Sequence, residues 1–534
     1  MSTPTPRLLA AIGVLVALSI GCGDGPTDPA PAVPGSIAAA SATALSGTVG
    51  QPVTPLPSVV VRNQHGEPMF GVRVTFAATG GGTIAGATAF TDANGIATVG
   101  TWTLGPTAGE QTLTATAGSL DAVAFVATAQ AGAAESLAKS AGDEQTGPVA
   151  TALPVAPAVV VSDLLGNPVA GATVVFEASG GGSITAATAV TNNLGVAAVG
   201  SWTLGTTPGP NTLTATMGEI TVTFTATAVA GDPAAIVKHE GDNQTATVAQ
   251  PVTIPPAVRI TDAHGNPAAG IAVTFAVAPG GGSLTGGSQI TDGDGVATVG
   301  SWTLGTAAGS NTLTATAGSL STTFTATGTA AAPANIQKTA GDGQTADAGE
   351  ELPVDPAVRL TDSFGNPVAG VSVTFTPASG GGTVTGPTPV TGINGVATVG
   401  SWTLGTGVGE NTLTASAGVL SVTFTATGVA GPPDEIIKVA GDNQDALVGT
   451  DVPTPPSVQV VDEFGNAVAG VTVTFTVTSG DGLVDGDSTA EIQTGIDGIA
   501  AVGSWTLGPA PGDNTLTATA GSLSALFTAT AIEP

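Results

Sequence analysis

Five tryptophans are the only ones in this 534-residue chain, and all five stand in one recurring phrase. It is written GVATVGSWTLG at residues 295–305. Trp102, Trp202, Trp302, Trp402 and Trp505 follow one another at intervals of 100, 100, 100 and 103 residues. Two phenylalanine series keep the same beat: Phe76, Phe176, Phe275, Phe375 and Phe475, and Phe125, Phe224, Phe324, Phe424 and Phe527. A solenoid repeats every 20 to 50 residues or so. A period near 100 is the size of a domain with its own core. The three extra residues of the last interval fall between Phe475 and Trp505, in SGDGLVDGDSTAEIQTGIDG. The five tryptophans are therefore read as five core anchors, with Trp302 packed against Phe275 and Phe324.

Within one repeat the signals are those of short strands. IAVTFAV (271–277) alternates with period two, and turn clusters such as GNP (265–267) and PGGGS (279–283) interrupt the apolar stretches. Aromatics are 4% of the chain and there is no tyrosine, so the apolar mass is Val and Ala set among Thr and Gly, a strand-and-turn composition. Seven or more strands in about 100 residues without helix signals predict a β-sandwich. In the tryptophan phrase the favoured inward set is Ala297, Val299, Trp302 and Leu304, which breaks strict alternation. That set predicts a bulge at Gly300–Ser301.

Three ordered motifs, GNPVAGVSVTFT (365–376), TDGDGVATVG (291–300) and NTLTATAG (311–318), resemble the bacterial Ig-like domain of the invasin and intimin type, the group 1 bacterial Ig-like domain. The resemblance spans about residues 35 to 532. It implies an all-β chain of five tandem Ig-like β-sandwich domains in an elongated array, with boundaries at 35–130, 131–230, 231–330, 331–430 and 431–534. At roughly 3.3 Å per strand residue, five such domains in line would reach on the order of 150–200 Å. The chain departs from invasins in showing no barrel region and no lectin-like head, so receptor binding is not carried over. In Ig-like domains a tyrosine often buttresses one corner. Here the corresponding positions hold Gln111, Asn211, Asn311, Asn411 and Asn514, read either as an amide substitute or as plain turn residues.

The N-terminus has one positive charge, Arg7, then an apolar run from Leu8 to Ile20, then Gly21 and the single cysteine, Cys22. The run has the length of a secretion-signal core and is short for a membrane span. LSIGC resembles a bacterial lipoprotein signal. Residues 1–21 are read as a signal peptide, with lipid attached at Cys22 and a Pro/Gly tether over 22–34. Localisation follows as exported and lipid-anchored at the cell envelope, at the outer membrane or cell surface. Membrane attachment is expected through that lipid only.

Chemistry is sparse. With 39 acidic against 9 basic residues, the formal net charge of −30 argues against nucleic acid as a partner. His65 and His264 sit in a turn that other repeats fill with Leu165, Phe364 or Phe464, and His239 is alone on its strand, so no catalyst or metal pair is read. GGG (280–282) lacks the Lys-Ser/Thr ending of a phosphate loop. Acidic turns are the one constellation that suits a hard cation. Asp292 and Asp294, and Asp481, Asp485 and Asp487 in the insertion, are the candidates for Ca²⁺, against a reading as ordinary turn formers. No other cofactor is expected. Lys139, Lys238, Lys338 and Lys438 share one register and are read as guards on an edge strand. The expectation is a non-enzymatic stalk or adhesin whose partner is a surface protein or glycan. The alternative is a carbohydrate-binding accessory surface protein using exposed aromatics.

Overall fold

The computed structural model describes residues 30–534. Cys22, the signal segment and most of the tether lie outside them. The chain divides into two compact units, residues 1–231 and 232–534. The first holds two sandwiches, built around Trp102 and Trp202. The second holds three, built around Trp302, Trp402 and Trp505.

Repeat 1 displays the pattern. Its strands are β1 (Pro34–Ala39), β2 (Ala44–Thr48), β3 (Ser58–Asn63), β4 (Arg73–Ala78), β5 (Thr83–Ala85), β6 (Thr88–Phe90), β7 (Ile96–Thr98), β8 (Thr101–Thr103), β9 (Gly109–Thr116) and β10 (Val123–Gln130). One sheet runs β1-β3-β7, the facing sheet β2-β10-β9-β4-β6, and β5-β8 is a separate ribbon. The first stretch of chain thus serves both sheets. β1 lies antiparallel to β3, and after a short crossing β2 lies parallel to the last strand, β10. Alternation drives the layering. On β10, Phe125, Ala127 and Ala129 face the core while Ala124, Val126 and Thr128 face out. On the neighbouring β9 the outward positions are Thr112, Thr114 and Thr116, whose β-branched side chains suit a half-exposed pleat.

The tryptophan phrase contains two short strands, not one bulged strand. Val296–Thr298 pairs with Ala257–Thr261 in the three-stranded sheet, and Ser301–Thr303 pairs with Ser283–Thr285 in the ribbon. Changing partner between Val299 and Gly300 allows Ala297, Val299, Trp302 and Leu304 all to be buried. The predicted bulge is replaced by this hand-over.

Two repeats depart from the pattern. Repeat 4 has a four-stranded sheet in place of five. Its edge segment is GPTPV (386–390), and Pro387 and Pro389 offer carbonyls to Phe375 N and Val373 N but have no N–H to return. In repeat 5 the insertion makes a tight turn, with Asp481 and Asp485 both at positive φ, and the edge strand after it lengthens to Thr489–Gln493.

Candidate functional site

The five indoles are 0–1% exposed, and each sits in a separate core beside its two phenylalanines. Trp302 Nε1 donates to Gly281 O at 2.9 Å. The GGG turns lie over the indole edge. A Cβ at Gly82 would stand 2.9 Å from Thr103 O and 3.1 Å from Trp102 Nε1, so the triple glycine answers a packing need and not a phosphate.

The corner amides are buried and bonded. Gln111 Oε1 accepts from Gly105 N at 2.7 Å, and Asn211, Asn311, Asn411 and Asn514 accept at 2.9 Å from Gly205, Gly305, Gly405 and Gly508. Each amide therefore ties the glycine that ends the tryptophan phrase to the strand that follows.

The register lysines sit on edge strands, but their ammonium groups do not point away as guards. Lys139, Lys238, Lys338 and Lys438 Nζ lie 5.6–5.9 Å from the ring centres of Phe224, Phe324, Phe424 and Phe527. They pair with Asp143, Asp242, Asp342 and Asp442 four residues on. The other oxygen of each carboxylate accepts a backbone N–H of the last strand, from Thr225, Thr325, Thr425 or Thr528 at 2.9–3.0 Å. Lys338 and Lys438 also donate to Thr423 O and Leu526 O. The pair clips the crossing of the first strand onto the last. Burial pushes these four carboxyls up, but the hydrogen bonds from the lysine and the backbone outweigh it and hold them below the ordinary value of 3.8.

The most elaborate polar arrangement lies between domains, and sequence reading passed over it as a simple turn. Repeats 2 to 5 carry D-x-x-G-N: Asp163 to Asn167, Asp262 to Asn266, Asp362 to Asn366 and Asp462 to Asn466. Asp163 Oδ1 accepts from Leu165 N and Asn167 N, closing its own loop. Its Oδ2 accepts from Gly132 N, in the link from repeat 1, at 2.7 Å. Asn167 then reaches into repeat 1, donating from Nδ2 to Pro106 O at 2.8 Å and accepting at Oδ1 from Ala108 N at 2.7 Å. In the second unit Asp362 accepts from Ala331 N, and Asn366 spans Thr306 O and Ala308 N. Asp462 and Asn466 do the same with Gly431 N, Thr406 O and Val408 N. Asp362 is 0% exposed. Burial raises the carboxyls of Asp163, Asp362 and Asp462, and bonds from Asn side chains and backbone N–H groups more than offset it, so all three stay below 3.8. Apolar contact joins the latch: the ring of Phe464 lies where a Cβ on Gly349 would be, 2.5 Å away. The signal was the recurrence of Asp and Asn four positions apart, with Asn63 and Glu67 in their place only in repeat 1.

The calcium candidates do not converge. Asp292 Oδ1 accepts from Asp294 N and Val296 N, and Asp485 Oδ1 accepts from Ser504 N at 2.7 Å. Asp481 supplies a left-handed corner beside it, and Asp487 closes a backbone bridge to Val484. Among the described residues no three His, Cys, Asp or Glu side chains gather as a metal site. The Asp292 carboxylate closes its own turn, and the Asp485 carboxylate ties its turn to Ser504 N. His65 and His264 are turn residues whose backbone N–H groups donate to Asn63 and Asp262.

No protein-family model matches the chain, and curated proteins give no match. Solved structures that resemble it include the Escherichia coli adhesin FdeC, at 21% identity and TM-score 0.41 over 55% of this chain and all of that one. Invasin, a bacterial integrin-binding protein, resembles it at 18% and 0.36 over 74% and 79%. InvD of Yersinia pseudotuberculosis does so at 16% and 0.34 over 70% and 98%. These are likenesses of fold alone.

Proposed function

We propose that this chain is a non-enzymatic, lipid-anchored protein of the bacterial cell surface, a stalk or adhesin that holds Ig-like domains at set orientations to one another. The observation that carries the reading is the Asp–Asn latch, which recurs at the junction inside the first unit and at both junctions inside the second. Chains that only string domains together have no need for buried carboxylates at the joints, where an unpaired charge is costly. The spacing or adhesive role then depends on those joints, and export and anchoring follow from the segment ending at Cys22. Carbohydrate binding through the tryptophans is not retained, because a buried indole cannot stack on a sugar.

Fractionation tests the anchor and binding tests the role. Wild-type chain should partition with envelope membranes and be cut by protease added to intact cells, while Cys22→Ser should be released. Wild-type chain found soluble inside the cell would overturn the reading. Binding of the purified chain to arrayed envelope proteins and glycans separates adhesin from spacer.

A further inference from the structure

Repeat 1 differs from the other four at one end, and the differences fall together. That end is where the chain comes in from the tether. Pro34 at the start of β1 pairs with Asn63 at the end of β3, and Val33 N donates to Gln64 Oε1 at 2.9 Å. The β3–β4 loop and the turn after β6 share this end, because Val61 N donates to Gly95 O and Gly71 N to Thr91 O. Phe70 precedes Gly71 and Phe90 precedes Thr91, so the two phenylalanines each stand one residue from the same backbone hydrogen bond. They are 76% and 67% exposed. Arg73 stands opposite Phe90 across β4 and β6.

The other repeats do not build this surface. Where repeat 1 has Phe70 they have Ala170, Ala269, Ala369 and Ala469, and where it has Arg73 they have Thr173, Ala272, Ser372 and Thr472. Where it has Arg62 they have Ser162, Thr261, Thr361 and Val461. The Phe90 position stays apolar and exposed in Val190, Ile290 and Val390, but without the second ring. The latch is altered at the same place. Asn63 Nδ2 donates to Glu67 Oε2 at 3.2 Å, so a loop that elsewhere reaches a neighbouring domain closes on itself here. The loop and strand ends carry Arg62, Arg73, Glu67 and Asp92, a balanced set in a chain of net charge −30.

We infer that this end of repeat 1 is a membrane foot, seating Phe70 and Phe90 in the interfacial region of a lipid bilayer with Arg62 and Arg73 reaching headgroup phosphates. The inference rests on the reading of Cys22 as lipid-bearing. Cys22 stands twelve residues before Pro34. Twelve residues of chain span at most about 40 Å. The foot is therefore held against the bilayer at a local concentration on the order of millimolar, where even a weak apolar contact is occupied. Exposed aromatic rings beside arginines suit the interface, since the rings bury their faces while the guanidinium groups stay with polar headgroups.

The test uses full-length chain purified from bacterial membranes and reconstituted in vesicles of phosphatidylethanolamine and phosphatidylglycerol. Acylated Cys22 has no free thiol, so a nitroxide can be placed at Phe70→Cys, or at Ala170→Cys as the matched position of repeat 2. The mass of the N-terminal peptide is read first. If it carries no acyl group, the anchor reading fails and the foot fails with it. On acylated chain, the ratio of oxygen to nickel-chelate collisions should be several-fold higher at 70 than at 170. Equal ratios on acylated chain overturn the foot alone. A label at 70 that is shielded in native envelope fragments but water-exposed in the vesicles assigns the surface to an envelope protein or polymer, and overturns the lipid assignment. Circular dichroism and tryptophan emission confirm that each variant is folded.

Discussion

Asn311 shows how one buried amide closes a corner in a chain without tyrosine. A tyrosine would bring a ring and a hydroxyl; the amide brings an acceptor for Gly305 N and a donor for Gly309 O, at 2.9 and 3.2 Å. Asn311→Ala leaves a buried N–H without a partner, a cost of about 1–3 kcal/mol. The expected result is faster hydrogen exchange in the peptide holding Gly305, with the matching peptides of other repeats unchanged. Acid titration provides a second check at this scale. Asp143, Asp163, Asp242, Asp342, Asp362, Asp442 and Asp462 are all held below 3.8 in the folded chain. A lowered carboxyl stabilises the fold fully above its ordinary value, and that stabilisation is lost as pH falls through the folded value. Tryptophan emission should therefore stay blue-shifted from neutrality to about pH 5 and shift red only below the ordinary range. A transition centred near pH 6 would refute this assignment.

At the scale of strands, the clearest natural experiment is the edge of repeat 4. Pro387 and Pro389 remove two N–H donors, and the edge strand seen in the other repeats is absent there. Replacing both with threonine should restore a fifth strand, read as slowed exchange across residues 386–390. Much of the fold was legible in the sequence at this scale. Period-two runs located the long strands, and the inward set Ala297, Val299, Trp302 and Leu304 could be written down from polarity alone. What the sequence did not show is which strand pairs with which. The phrase changes partner at Val299–Gly300, and that depends on a ribbon from another part of the repeat. The lysines were misjudged for a related reason. Their ring and carboxylate partners lie on the last strand and in the crossing turn, a relation that register along one strand does not contain. Because these ammonium groups are one-third or more exposed, Lys338→Ala should cost at most about 1 kcal/mol.

Across whole domains, the candidate site was legible only as recurrence. Asp and Asn four positions apart looked like turn chemistry, and locally they are; their second set of bonds crosses to another domain and needs the assembled unit to be seen. Asp462→Ala with Asn466→Ala removes the latch between repeats 4 and 5. Spin labels on those two repeats should then give a broader distance distribution, while the Trp402 and Trp505 cores stay closed. An unchanged distribution would show that Phe464 against Gly349 suffices to set the joint. The pairing of the second strand with the last has a further consequence. Because β2 runs parallel to β10, and its counterparts do likewise, a pull on the two ends of a domain loads every rung of that ladder in shear at once, so none can open ahead of the rest. In repeats 2 to 5 the lysine–aspartate clip fastens the crossing beside the ladder; repeat 1 has Ala39 and Thr43 in those places. Stretched singly between a cantilever and a surface, the molecule should give one early, weaker rupture and four later, stronger ones. Repeat 1 is then a fuse that lengthens first and spares the rest from load.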